Sequence, residues 1–190
     1  MKRIFVAIDI SDEVQRKVSD YIAALRVEFP KLRVGWEKPE KLHLTMKFLG
    51  DINDEQLEKL TKAAEKTARQ TLSFKLQVSD TGVFPSARNA RILWLGLQHE
   101  QGSLQKLNEI LETECEMIGF ARENRSFKAH LTIARLREPQ KSKELVQRHL
   151  QNEFEAVEFE LSEVVIYESK LLPQGSIYSV ISKHLFSGQS

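Results

Sequence analysis

Hydrophobic positions along the chain follow two alternating periods. Arg3 to Ile10 is a short, almost continuous apolar run that predicts a buried strand. Val14, Val18, Tyr21, Ile22, Leu25 and Phe29 then recur at helical spacing, with a cap at Ser11 or Asp12 and a stop at Pro30. A loop through Trp36 and Pro39 leads to a second strand over Leu42 to Leu49, after which Gly50-Asp51 is expected to turn the chain. Asn53 or Asp54 starts a helix with Leu57, Leu60, Ala64 and Ala68 on one face, and Leu72 to Val83 alternates as a strand. Phe84 to Asn89 reads as a turn or loop.

The order then repeats. Arg91 to Leu97 predicts a strand, Ser103 to Ile118 a helix ended by Gly119, and Ser126 to Leu136 a strand. Pro139 opens a short helix to about Leu150, and Val157 to Tyr167 and Ile177 to Leu185 are strands. The expected fold class is α+β: a two-lobed duplicated fold, with two mainly antiparallel sheets facing a central cleft and helices outside. It forms a single domain over 1–190, with pseudo-repeats at about 1–85 and 90–190.

The middle strand of each half carries the same tripeptide, His43-Leu44-Thr45 and His130-Leu131-Thr132. Residues i and i+2 of a strand share a face, so each His is expected beside its Thr with the Leu behind. One such tripeptide would be an ordinary strand sequence. Two copies in a chain with five histidines place His and Thr on one face twice, which a core alone does not require. The chemistry suits a phosphate ester. Imidazole titrates near neutrality, so one ring can take a proton from water while the other gives one to a leaving oxygen. Thr hydroxyls can donate to phosphate oxygens as charge builds there.

Charge sharpens this picture. Lys and Arg number 28 against 27 acids, a net charge of +1, which argues against coating nucleic acid through bulk charge. Between Ala121 and Arg137, however, Arg122, Arg125, Lys128, Arg135 and Arg137 face a single acid, Glu123. Arg135 is a candidate phosphate fork. Lys47, two residues after Thr45, is a second candidate on the face of His43 and Thr45. Phe48, Phe84, Trp36 and Trp94 could stack on a base. His99, His149 and His184 lack the motif and are expected to be ordinary surface residues. The basic stretch should disfavour protonated His130, making His130 the proton acceptor and His43 the proton donor.

Other classes of function recede. No Cys/His cluster has zinc spacing, and no cofactor or metal is expected. Cys115 is the only cysteine, so nothing calls for an oxidising compartment. The N-terminal apolar run is too short for a signal peptide, and no run could span a bilayer as a helix, so a cytoplasmic protein without membrane contact is expected. No obligatory protein partner is called for, and the expectation is a monomer.

At these residues the chain resembles the 2H phosphoesterase superfamily, and within it the RNA 2′,3′-cyclic phosphodiesterases formerly called 2′-5′ RNA ligases. The resemblance runs through 3–8, 42–50, Gly82-Val83-Phe84-Pro85, Leu93-Trp94-Leu95-Gly96, 129–135, and the tail Ser169 to Leu172 with Gly175 and Tyr178. Ala129 departs from a common Pro before the second His. The resemblance implies a metal-independent hydrolysis of a terminal 2′,3′-cyclic phosphate to a 2′-phosphate, a 2′-5′ ligation as the reverse-type reaction, and the same acid and base assignment. The substrate is then an RNA 3′ end or a nucleotide 2′,3′-cyclic phosphate. Small cyclic nucleotides, ADP-ribose cyclic phosphate, a non-catalytic RNA-end module and a 2′-5′ RNA ligase remain alternatives. No Walker A loop or nucleotidyl-transfer lysine motif supports ATP-driven ligation.

Overall fold

A computed structural model describes residues 1–99, 102–173 and 175–187. Among these residues nine strands and four α-helices form in chain order: β1 (Lys2–Asp9), α1 (Asp12–Glu28), β2 (Val34–Trp36), β3 (His43–Ile52), α2 (Asp54–Arg69), β4 (Phe74–Phe84), β5 (Ile92–His99), α3 (Ser103–Met117), β6 (His130–Leu136), α4 (Lys143–Gln151), β7 (Val157–Leu161), β8 (Glu163–Leu172) and β9 (Gly175–Leu185). Helix starts follow their capping chemistry. Ser11 Oγ accepts from the Val14 N–H at 3.3 Å, and Asn53 with Gln56 forms a reciprocal capping box. The Ile4–Ile8 run is buried on both faces of β1, which explains why it shows no alternation.

The strands form a curled antiparallel sheet in the order β7-β4-β5-β6-β3-β1-β8-β9, with β2 against β6. Two four-stranded blocks meet at β6 and β3, whose one assigned pair is Leu44 with Leu131. Both leucines are fully buried and share one core with Val14, Val18, Ile22 and Leu25 of α1 and with Leu104, Leu107 and Leu111 of α3. The expected α+β class and the helix-covered outer face are found.

The blocks do not coincide with the halves of the chain. β4, from the first half, pairs with β5 and β7 of the second. β8, from the second half, pairs with β1. Each half therefore lends a strand to the other's sheet.

Several boundaries differ from expectation. Val157 to Tyr167 is two strands, β7 and β8, which run in opposite blocks and separate at Ser162. Gly50 does not turn the chain: with φ 73° it sits inside β3, which continues to Ile52. Ser126 to Ala129 approaches β6 as loop, and the Pro139 helix is a 3-10 turn followed by α4. Among the described residues no helix is long and apolar enough to cross a membrane.

Candidate active site

The meeting of β3 and β6 builds the site. Leu44 and Leu131 point into the core, so the residues on either side of them point the other way. His43, Thr45, His130 and Thr132 all line one cleft of about 560 Å³, large enough for a nucleotide. The antiparallel register carried one residue either way sets His43 opposite Thr132 and Thr45 opposite His130.

Each motif strand then breaks its alternation at the same place. Met46 is an extra residue in the β1–β3 ladder, where Val6 pairs with Lys47 and Ala7 with Thr45. Ile133 is extra in the β5–β6 ladder, where Leu93 pairs with Ala134 and Trp94 with Thr132. A bulge of this kind reverses which face the following side chains occupy. Arg135 and Phe48 thereby reach the cleft.

The same bulge overturns the expectation for Lys47. Its side chain is 6% exposed and lies in the core, where Nζ donates to Glu112 Oε2 at 2.6 Å and to the Ala121 carbonyl at 2.9 Å. Glu112 also accepts from the Glu123 N–H at 3.2 Å. Lys47 thus ties β3 to α3 and to the loop that leads into β6. It does not line the cleft.

Both catalytic-candidate histidines are held in the same way. His130 Nδ1 lies 2.8 Å from the Lys128 carbonyl, and since a carbonyl only accepts, Nδ1 carries the proton. His43 makes the matching bond to the Lys41 backbone, again two residues earlier. At His130 this tautomer leaves Nε2 free for chemistry. The paired lysines, Lys41 and Lys128, extend the sequence repeat by two residues toward the N-terminus, a signal visible in the chain itself.

Their surroundings differ. His43 stacks on Phe5 at 4.9 Å between centroids, with Tyr178 edge-on at 5.3 Å and Tyr167 at 6.2 Å. Its cross-strand partner Asp9 accepts from the Tyr167 hydroxyl at 2.6 Å. Burial drives the His43 pKa down to about 4, against opposing pulls from the Lys41 backbone and Asp9. His130 meets Phe84 edge-on at 4.9 Å and Trp94 at 6.3 Å. Burial lowers its pKa too, opposed by the Lys128 carbonyl and assisted by the charges of Lys128 and Arg135. The repulsion expected from the basic stretch is present but second to burial.

The aromatic candidates divide. Phe48 is 52% exposed on the cleft, with the Arg3 guanidinium 4.7 Å from its ring centre. Trp36 lines the cleft as well. Trp94 is buried beside His130 and does not line the cleft, with Lys128 Nζ 4.5 Å from its ring centre. That ring lies flat across β4 only because its strand partner is Gly82: a Cβ there would overlap the indole.

Among the other histidines, His149 is not at the surface. It is fully buried, contacting the Tyr21 hydroxyl at 2.9 Å and the carbonyls of Gly82 and Trp94 at 3.0 and 3.2 Å. His99 and His184 are half-buried. Sequence reasoning also passed over Phe5, Asp9 and Tyr167, which surround His43 but belong to strands distant in the chain. Among the described residues no three His, Cys, Asp or Glu side chains cluster as a metal site.

The family model for LigT-like phosphoesterases matches this chain twice, over residues 8–94 and 95–178, one match to each half. The chain belongs to the LigT-like phosphoesterase family. That membership meets the expectation of an enzyme of the 2H type. A Methanothermobacter thermautotrophicus protein named RNA 2′,3′-cyclic phosphodiesterase is 31% identical over 93% of this chain and 95% of its own length. A Thermotoga maritima protein of the same name is 31% identical over 98% and 96%. Among solved structures, a Thermus thermophilus protein superimposes with a TM-score of 0.80 at 24% identity, covering 99% of this chain and all of its own. The LigT of E. coli, solved with 3′-AMP, gives 0.76 at 23% identity over 98% of each chain. The two-lobed LigT-like fold is thus shared across widely diverged sequences.

Proposed function

We propose that this LigT-like phosphoesterase hydrolyses the 2′,3′-cyclic phosphate at RNA 3′ ends to a 2′-phosphate, with His130 as proton acceptor and His43 as proton donor. The observation that carries this reading is the β3–β6 seam, which brings both His-Leu-Thr motifs into one cleft. The names of the relatives from Methanothermobacter thermautotrophicus and Thermotoga maritima support the substrate.

In this mechanism a water oxygen attacks phosphorus while His130 Nε2 takes its proton. The P–O3′ bond breaks on the opposite side, and His43 Nε2 protonates O3′. The products are a 2′-phosphate and a free 3′-hydroxyl. Thr45, Thr132 and Arg135 face the non-bridging oxygens, where charge builds.

Charge partners distinguish the roles. With His43 titrating near 4, its ring is neutral in the open cleft at neutral pH and acquires its proton as the anionic phosphodiester enters. Asp9 favours the charged form of His43, whereas Lys128 and Arg135 oppose it at His130. Burial acts against this order, since it depresses His43 more strongly than His130 in the open cleft, so the assignment rests on the charge partners and on the proton His43 gains as the anionic substrate enters.

The deciding assay incubates the protein in EDTA with an oligonucleotide ending in a 2′,3′-cyclic phosphate and identifies the product by phosphorus NMR. Full turnover to a 2′-phosphate is expected. Loss on chelation with rescue by a divalent ion would replace the two-histidine mechanism, and a 3′-phosphate product would reverse the seating of the ribose.

A further inference from the structure

Past their matching bulges the two motif strands diverge. β3 presents Phe48 to the cleft, where β6 presents Arg135, and the residue just past the end of β6, Arg137, lines it too. One wall is aromatic and the other cationic. We propose that Arg137 seats the phosphate one nucleotide upstream of the cyclic phosphate, so that the cleft holds an RNA strand running along β6. This rests on the reading of the site given above.

Spacing is the first argument. Arg135 and Arg137 flank buried Leu136 and face the same cleft. Two residues along a strand span about 6.7 Å, a distance on the scale of one nucleotide step, so two arginines so spaced can meet neighbouring phosphates. The Arg137 N–H donates to the Arg33 carbonyl at 3.1 Å, which holds the chain extended beyond the end of β6 and fixes this spacing.

Availability is the second. Arg3 lies over Phe48, and Arg135 Nε is 3.6 Å from Glu37. Arg137 pairs with no acidic side chain among the described residues. Its guanidinium lies against Gly35 of β2, where an added Cβ would stand 3.5 Å from Nε, so the glycine leaves that side open to it. A guanidinium is suited to this task because its planar fork can meet two phosphate oxygens at once.

Charge balance is the third. Among the described residues, Arg3, Lys38, Lys41, Arg135 and Arg137 line the cleft with Glu37 as the one acid beside them, in a chain whose total charge is +1. Such a concentration exceeds what one phosphodiester charge needs and fits a ligand carrying a second.

The test compares equilibrium binding of uridine 3′,5′-bisphosphate and uridine 3′-phosphate, in which the 5′-phosphate stands for the upstream phosphodiester. Wild-type protein should bind the bisphosphate about tenfold more tightly, as for one charge-assisted contact. Arg137→Ala should bring that ratio close to one and reduce the log–log salt slope for the bisphosphate by about 0.7. A wild-type ratio of one, or a ratio that survives in Arg137→Ala, overturns the proposal. Because the readout is binding rather than turnover, it stands or falls separately from the hydrolysis assay.

Discussion

Leu44 and Leu131 face each other across the seam between β3 and β6, and this one pair determines which catalytic-candidate groups are neighbours. It sets each histidine opposite the threonine of the other motif. His43→Ala and His130→Ala should each lower kcat at least about a hundredfold, and Thr45→Val and Thr132→Val roughly ten- to a thousandfold. In double-mutant cycles on kcat/KM, His43 should couple more strongly to Thr132 than to Thr45. Stronger coupling within one motif would mean that the chemistry does not cross the seam.

The assignment of acid and base has its own signature. A substrate whose 3′ leaving oxygen is replaced by a better leaving group needs no proton donor. It should restore His43→Ala far more than His130→Ala, as read from single-turnover rates. The opposite pattern exchanges the roles.

Acid sensitivity follows from the histidines. His43, His130 and His149 all have pKa values below the usual 6.5, His43 at about 4, because burial penalises their charged forms. Between about pH 6.5 and 4 the unfolded chain therefore binds more protons than the folded one, and stability falls as pH falls through that window. Above about pH 7 these groups contribute no slope. Urea midpoints measured from about pH 7.5 to 5 should decline, and His43→Gln should flatten the decline. An unchanged slope in that variant would mean that His43 titrates normally.

Lys47 should reveal itself in stability. Lys47→Met leaves Glu112 buried without its cation and should cost about 3–5 kcal/mol in urea unfolding. The double variant Lys47→Met/Glu112→Met should recover most of that loss, since an apolar pair of similar size avoids burying a lone charge. If Lys47→Met proves neutral in stability, the ion pair is not the tie described.

Most of the site was legible because its residues stand in a repeated tripeptide, and strand period alone places His with Thr. What escaped was set by the bulges at Met46 and Ile133. Neither residue is a glycine or proline, so nothing in the local sequence announces the reversal that buries Lys47 and exposes Phe48. Arg135 reached the cleft for a reason the chain does not display, since strict alternation would have put Ala134 there. The split of Val157 to Tyr167 was hidden because both β7 and β8 are apolar-faced, and only pairing partners distinguish them. His149 looked superficial in a helix beside Arg148, yet its polar partners are two carbonyls and a tyrosine from remote elements.

The strand exchange has a consequence for how the molecule comes into being. β1 precedes its outer neighbour β8 by about 160 positions, pairing Ile4 with Glu168 and Ala7 with Val165. Until β8 is available the first block carries an open edge at β1, as expected for contacts of long sequence separation. Tyr167 and Tyr178, which enclose His43, come with β8 and β9. The aromatic wall around His43 is therefore complete only once β8 and β9 have paired, however early β1 and β3 form.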